Sequence, residues 1–287
     1  MSRMESLKRF VRESPWQLWK TQALAVMKIE ARRNLLRWRS AWIYLLAFFP
    51  ALVLAGHAVQ CLLMGGCSIG EETDVFAAFF QVYELRLAIF FSCMGLFTWL
   101  FRGDIVEKSL HYYFLSPMRR EVLVIGKFLA GILTTGLVYC VAVLVSFSLT
   151  YLPFGPQGYA FVFGGPGLGH LLSYLWVTVL ACVGYGSLFL ALSLLFKNPI
   201  LPGLIVLLWE TFHAVLPATL QKFSVMFYLK QLCPVSIPSR GLQALFGVIA
   251  EPVSPWLAVP GLLLLSAAIL TFACFRIRKT EVSYLAD

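Results

Sequence analysis

Charge is scarce in this sequence. Only 13% of its 287 residues are Asp, Glu, Lys or Arg, about half of the quarter usual in soluble domains. A soluble fold needs an outer shell that faces water, and too few polar side chains are present to build one. With 60% hydrophobic residues, disorder is excluded as well. There is no GxxxxGK[ST] phosphate loop. The triplet Ile125-Gly126-Lys127 has no glycine-rich loop ahead of it and runs into an apolar stretch, so the chain cannot cradle ATP phosphates by that route. HExxH, GxSxG and CxxC are missing, and no cysteines stand at zinc spacing. The histidines His57, His111, His170 and His213 are scattered over separate stretches. No tandem repeat or low-complexity tail is visible. Residues 1–40 hold no apolar core of the length that a cleavable secretory signal needs, and none is expected.

What is abundant is apolar length. A helix needs about 20 apolar residues to cross a bilayer, and six stretches qualify: 41–63, 82–101, 126–150, 171–196, 199–219 and 256–275. The expected fold is an all-α polytopic membrane bundle. Glu84 and Arg86 interrupt the second stretch, which is therefore expected to begin at the interface. Lys197, Asn198 and Pro199 alone separate the fourth and fifth, which predicts an antiparallel hairpin. Six spans put both termini on one side. On that side lie 19 of the 23 Lys and Arg, mostly before residue 40, between 102 and 127, and after 275. The positive-inside rule makes it the cytoplasm. The first outer loop agrees, since it carries Glu71, Glu72 and Asp74 with no basic residue. The net charge of +9 is thus chiefly a topology signal, and nucleic acid is not an expected partner. Cys61 and Cys67 fall outside, where a bridge between them is an open option.

Three parts of this plan carry candidate function. Residues 1–40 form a cytoplasmic or interfacial segment; within it, 16–40 alternate apolar and basic residues, as a helix in the headgroup plane does, with Arg32, Arg33, Arg37 and Trp38 at the membrane surface. Residues 41–275 form the six-span transmembrane domain, and 276–287 a cytoplasmic tail. Within the domain, residues 102–127 start with mixed charge, run apolar from Leu110 to Leu115, stop at Ser116-Pro117 and re-enter through Arg119, Arg120 and Glu121. That is a short helix suited to docking another protein and pushing on two spans. Glu210 lies near mid-depth of the fifth span, where an ionisable group is a functional candidate by default. His213 is on the same helical face and is a candidate to pair with it at a pathway or subunit interface; the alternative is a protonated Glu210 hydrogen-bonded to a neighbouring helix as packing glue. On the outer side, 219–255 reads as a re-entrant or capping segment.

The 102–127 loop resembles the signature region of type-2 ABC (ATP-binding-cassette) exporter permeases. Asp104 and Glu107 match that family's acidic positions, Ser109-Leu110 its Thr-Leu, Pro117 with Arg119 and Arg120 its Pro-basic step, and Gly126-Lys127 its close. Lys108 stands where the family has Gly. The segment KIEARRNLLRWRSAW is similar to the family's elbow helix. The resemblance implies a permease subunit without catalytic residues, working as a homo- or heterodimer in the plasma membrane, the bacterial inner membrane. A separate cytoplasmic ATPase would hold ATP and Mg and dock on Asp104, Glu107, Lys108, Pro117, Arg119 and Arg120. The alternative is an intramembrane enzyme or a scaffold that anchors a cytoplasmic partner. Against the enzyme, Gly184-Tyr185-Gly186-Ser187 has no strand–turn–helix context, and no Arg follows Glu71-Glu72 at the needed spacing.

Overall fold

A computed structural model describes residues 15–107, 113, 115, 118–196, 198–212, 217–236 and 254–278. Among them there is no strand. Helix α1 spans Pro15–Leu36, and a 3-10 turn at Trp38–Ser40 leads into α2, Ala41–Met64. Helix α3 runs from Ile69 to Val106, with a π-helical stretch at Phe79–Ala88. Helix α4 covers Arg120–Tyr151, and short helical turns follow it to Gly164. Then come α5 (Gly167–Leu195), α6 (Ile200–Phe212), α7 (Ala218–Gln221), α8 (Val225–Leu232) and α9 (Pro255–Arg278).

Helices α2, α3, α4, α5 and α9 are each long and apolar enough to cross a membrane. They coincide with five of the six expected spans. The remaining stretch, 199–219, contains α6, whose 13 residues reach about 20 Å at 1.5 Å per residue. That is short of the roughly 30 Å hydrocarbon core, and residues 213–216 after it lie outside the described set. The structure also departs from the expected interfacial start of the second span. Helix α3 continues unbroken through Glu84 and Arg86, and Glu84 is 3% exposed. Burial against neighbouring helices takes the place of water at that carboxyl.

Helix α5 is the centre of the bundle. Of its most apolar window 72% is buried, against 22% for α9, which leaves α9 a peripheral helix. The core is aromatic. Phe90 meets Phe189 and Tyr185 edge-on, with centroids 5.0 and 5.3 Å apart. The Phe97 ring lies between two glycines: a Cβ on Gly131 of α4 would come 2.4 Å from it, and one on Gly186 of α5 2.6 Å. Only the missing side chains let three helices share one ring, so Gly186 is a packing residue. A second aromatic group, Phe76, Phe80, Phe147 and Tyr174, closes the far end of the bundle, with Phe80 and Tyr174 4.6 Å apart. There the structure settles the cysteine option, because Cys61 and Cys67 are bridged. His57 and Glu72 pair beside the bridge at 2.8 Å, but the sulfurs are already used and are no longer thiolate ligands.

Candidate functional site

At the opposite end, α1 lies across α4. Its packed face is Ala23, Val26, Glu30, Ala31 and Asn34, the spacing of one helical stripe. Contact is close because Gly126 has no side chain: a Cβ there would sit 2.9 Å from Val26 Cβ and 3.0 Å from the Ala23 carbonyl. The outward face carries Leu18, Ile29 and Leu36, all exposed, flanked by Lys28 and Arg32. The apolar face is therefore turned away from the bundle, as it is in a helix that lies on lipid.

Under α1 the chain buries three charges, Glu30, Asp104 and Lys127, and half-buries a fourth, Arg33. Lys127 of α4 has no exposed surface, and its ammonium has three protons to donate. They go to Glu30 Oε1 at 2.7 Å, Asp104 Oδ2 at 2.6 Å and the Leu100 carbonyl at 2.6 Å. The rings of Phe101 and Tyr113 lie 5.4 and 5.2 Å from the same nitrogen. Arg33 bridges both acids from the other side, 3.2 Å from Glu30 Oε2 and 3.3 Å from Asp104 Oδ1. Two carboxylates and two cations balance, which offsets a desolvation cost of several kcal/mol per buried ion. Burial alone lowers the pKa of Arg33, but Glu30 and Asp104 more than compensate and hold it above its ordinary value. The Tyr113 hydroxyl donates to Glu30 at 3.3 Å. Burial, then the charges of Glu30 and Asp104, push that phenol up to about 12, so it remains a donor at neutral pH.

Around this cluster the ends of several helices are tied together. Arg37 pairs with Glu107 at 3.1 Å, and Arg119 stacks over Trp19 at 4.3 Å. Arg120 donates to the carbonyls of Ile277 and Arg278 at 3.4 and 3.2 Å, where a cation suits the C-terminal end of α9. Glu121 pairs with Arg278. Asp104, Glu107, Arg119, Arg120, Arg33 and Arg37 thus converge at one end of the bundle. Arg32 and Trp38 are exposed on its surface instead. Lys108 and Pro117 lie outside the described residues.

Sequence reasoning missed Glu30 as a site residue and placed Lys127 only as the close of the 102–127 motif, without a charge partner. The signal was present: Glu30 is the only acid between residues 16 and 40, and it occupies the same stripe as Ala23, Val26 and Asn34.

Glu210 has a different place. Its carboxylate accepts from the Ser224 hydroxyl at 2.7 Å and from the Val225 and Met226 amides at 2.9 Å each. It therefore caps the N-terminus of α8, where the first amides of a helix have no partner of their own. The cap ties α6 to the segment after residue 219; His213, the other member of the expected pair, lies outside the described residues. No known family model matches the sequence, and no curated protein matches it either.

Proposed function

We propose that the chain is the membrane-spanning permease subunit of an ATP-driven exporter of the type-2 ABC kind. It would form the substrate pathway with a second permease subunit, and a separate cytoplasmic ATPase would drive it. The observation that carries this reading is the buried cluster of Glu30, Arg33, Asp104 and Lys127. It joins the elbow helix, the end of one span and the start of the next through ion pairs, which a low local dielectric strengthens. A push on residues 102–119 would move both spans and the elbow together rather than bend a loop.

Both termini are cytoplasmic in this reading, with α6 and the residues that follow it completing a sixth crossing. The membrane is a plasma membrane, a bacterial inner membrane. ATP and Mg belong to the ATPase, and this chain contributes no catalytic side chain. Glu107 and Arg37, half-exposed at the rim of the cluster, are the groups a docked partner meets first.

Charge reversal tests this. Glu107→Lys, which leaves the buried cluster intact, is expected to lower ATP-driven export and the ATPase rate of the assembled complex at least tenfold with unchanged expression. Unimpaired export by that variant overturns the docking role.

A further inference from the structure

Beside the Cys61–Cys67 bridge, at the end of the bundle away from α1, four side chains able to ligate a metal meet. His57 and Cys61 are one helical turn apart on α2 and share a face of it. Glu72 reaches them from the first turn of α3, and Cys67 from the turn between the two helices. One ligand atom from each of the four lies within 4.8 Å of the other three. Glu72 is 4% exposed, and its Oε1 is 2.8 Å from His57 Nε2 and 3.8 Å from Cys61 Sγ. Cys61 Sγ is 3.7 Å from the same nitrogen. A disulfide is uncharged and gains little from a carboxylate and an imidazole drawn up to one of its sulfurs. A metal ion gains a ligand from each.

The distances fit tetrahedral zinc. With bonds of roughly 2.0–2.3 Å, the ligand atoms of such a site stand about 3.3–3.8 Å apart. Cys61 already keeps that spacing from His57 and Glu72. The His57–Glu72 contact is shorter because a proton sits between them, and a metal takes that proton's place. The pair that does not fit is Cys61 with Cys67, which are joined covalently. Once that bond is broken, the Cys67 sulfur has to withdraw by about 2 Å. Its backbone permits this. Gly65 and Gly66 precede it at positive φ, 69° and 85°, and a Cβ on either would meet nothing within 4 Å, so the turn stands clear of the bundle. His57 and Cys67 are only half-buried, which gives an ion its entry path.

We propose that His57, Cys61, Cys67 and Glu72 form a structural zinc site that becomes available when the Cys61–Cys67 bridge is reduced. A dithiol reductant breaks the S–S bond. It gives two electrons and two protons, leaves two thiols, and itself closes to a disulfide. Zn2+ then binds both sulfurs as thiolates and releases their two protons. His57 ligates through Nε2 and carries its proton on Nδ1, and Glu72 supplies one carboxylate oxygen. Four protein ligands leave no open coordination position, as in structural rather than catalytic zinc sites. Two thiolates with an imidazole favour zinc over calcium and magnesium, which take oxygen ligands. The turn between α2 and α3 is thereby clamped in both redox states, by a covalent bond in one and by the metal in the other. This inference rests on neither the transport reading nor the orientation in the membrane.

The test uses the full-length chain in detergent, stripped of metal, and either left oxidised or reduced with a phosphine and desalted without air. Zn2+ is titrated in competition with a chromophoric chelator, and bound metal is counted by native mass spectrometry. The reduced chain should take one zinc at least tenfold more tightly than the oxidised chain. His57→Gln and Glu72→Gln, which leave both cysteines in place, should each weaken that step at least tenfold. Cys140→Ser, which removes a thiol outside the cluster, should leave it unchanged. If the oxidised chain binds as tightly as the reduced one, if both cluster variants bind as the unaltered chain does, or if binding is lost with Cys140→Ser instead, the proposal is wrong. Should a variant fail to fold, the unaltered chain decides: zinc added after reduction should shield Cys61 and Cys67 from alkylation, and full alkylation of both in its presence overturns the site.

Discussion

Lys127 is the residue on which the account turns. A buried ammonium with three satisfied protons becomes a liability once a partner is lost, because breaking a buried pair costs about 3–5 kcal/mol. Lys127→Met is therefore expected to destabilise the chain by about that amount, measured as a fall in thermal stability in detergent. Pairing it with Glu30→Gln restores charge balance, so the double variant should lose less than the two single losses added. Additive losses would mean that the contacts seen at 2.7 Å contribute no coupling. Tyr113 gives a pH signature. Its phenol is raised from 10.0 to about 12 in the folded chain, so between those values the unfolded chain releases a proton that the folded chain keeps. Its contribution to stability is complete below about pH 10 and is lost as pH rises toward 12. The difference in melting temperature between the unaltered chain and Tyr113→Phe should hold constant from pH 6 to 9 and change above 10. Glu210 gives a third test. Glu210→Leu strips the cap from α8 and should raise hydrogen exchange at the Val225 and Met226 amides, which now donate to it at 2.9 Å. Unchanged exchange would show that the capping bonds are dispensable.

Among the elements, the contact of α1 with α4 decides how firmly α1 is held to the bundle. Gly126→Val would place a branched side chain where even a Cβ meets Val26 at 2.9 Å, and overpacking of this kind costs about 1–3 kcal/mol. The variant should lift α1 and open Pro15–Leu36 to proteolysis, while the bundle around α5 stays resistant. The elements themselves were largely legible in the sequence. Apolar length and proline positions give α2, α4, α5 and α9 nearly to their ends, because a bilayer imposes a length that composition alone can reveal. Helix α3 was less legible: a charged pair inside an apolar run reads as an interface, and only tertiary packing shows Glu84 enclosed. The charge cluster was half legible. Asp104, Arg33 and the 102–127 segment stood out by type, but their partner Glu30 is 74 residues away from Asp104 in the chain, and no local pattern links them. Glu210 was found as a mid-membrane acid, yet its partner is a helix terminus, which has no sequence signature at a distance.

At the level of the whole molecule, one end is basic and the other is bridged. The bridge predicts a thiol count: the denatured chain should alkylate at five cysteines without reductant and at all seven after reduction. Seven without reductant would mean that Cys61 and Cys67 are free. The basic end holds the cluster, the elbow and the ends of α3, α4 and α9, and an external push applied there acts on several helices at once. That is the property a permease driven by a separate ATPase needs, and it is the central claim. Its most direct test is to purify the tagged, unaltered chain from its native membrane without crosslinking and to assay the complex for nucleotide hydrolysis. The account predicts a stoichiometric partner that carries a phosphate-loop sequence, with ATP hydrolysis that departs when Glu107→Lys releases the partner. Isolation of the chain with no ATPase and no hydrolysis, from membranes in which it is intact and folded, would contradict it.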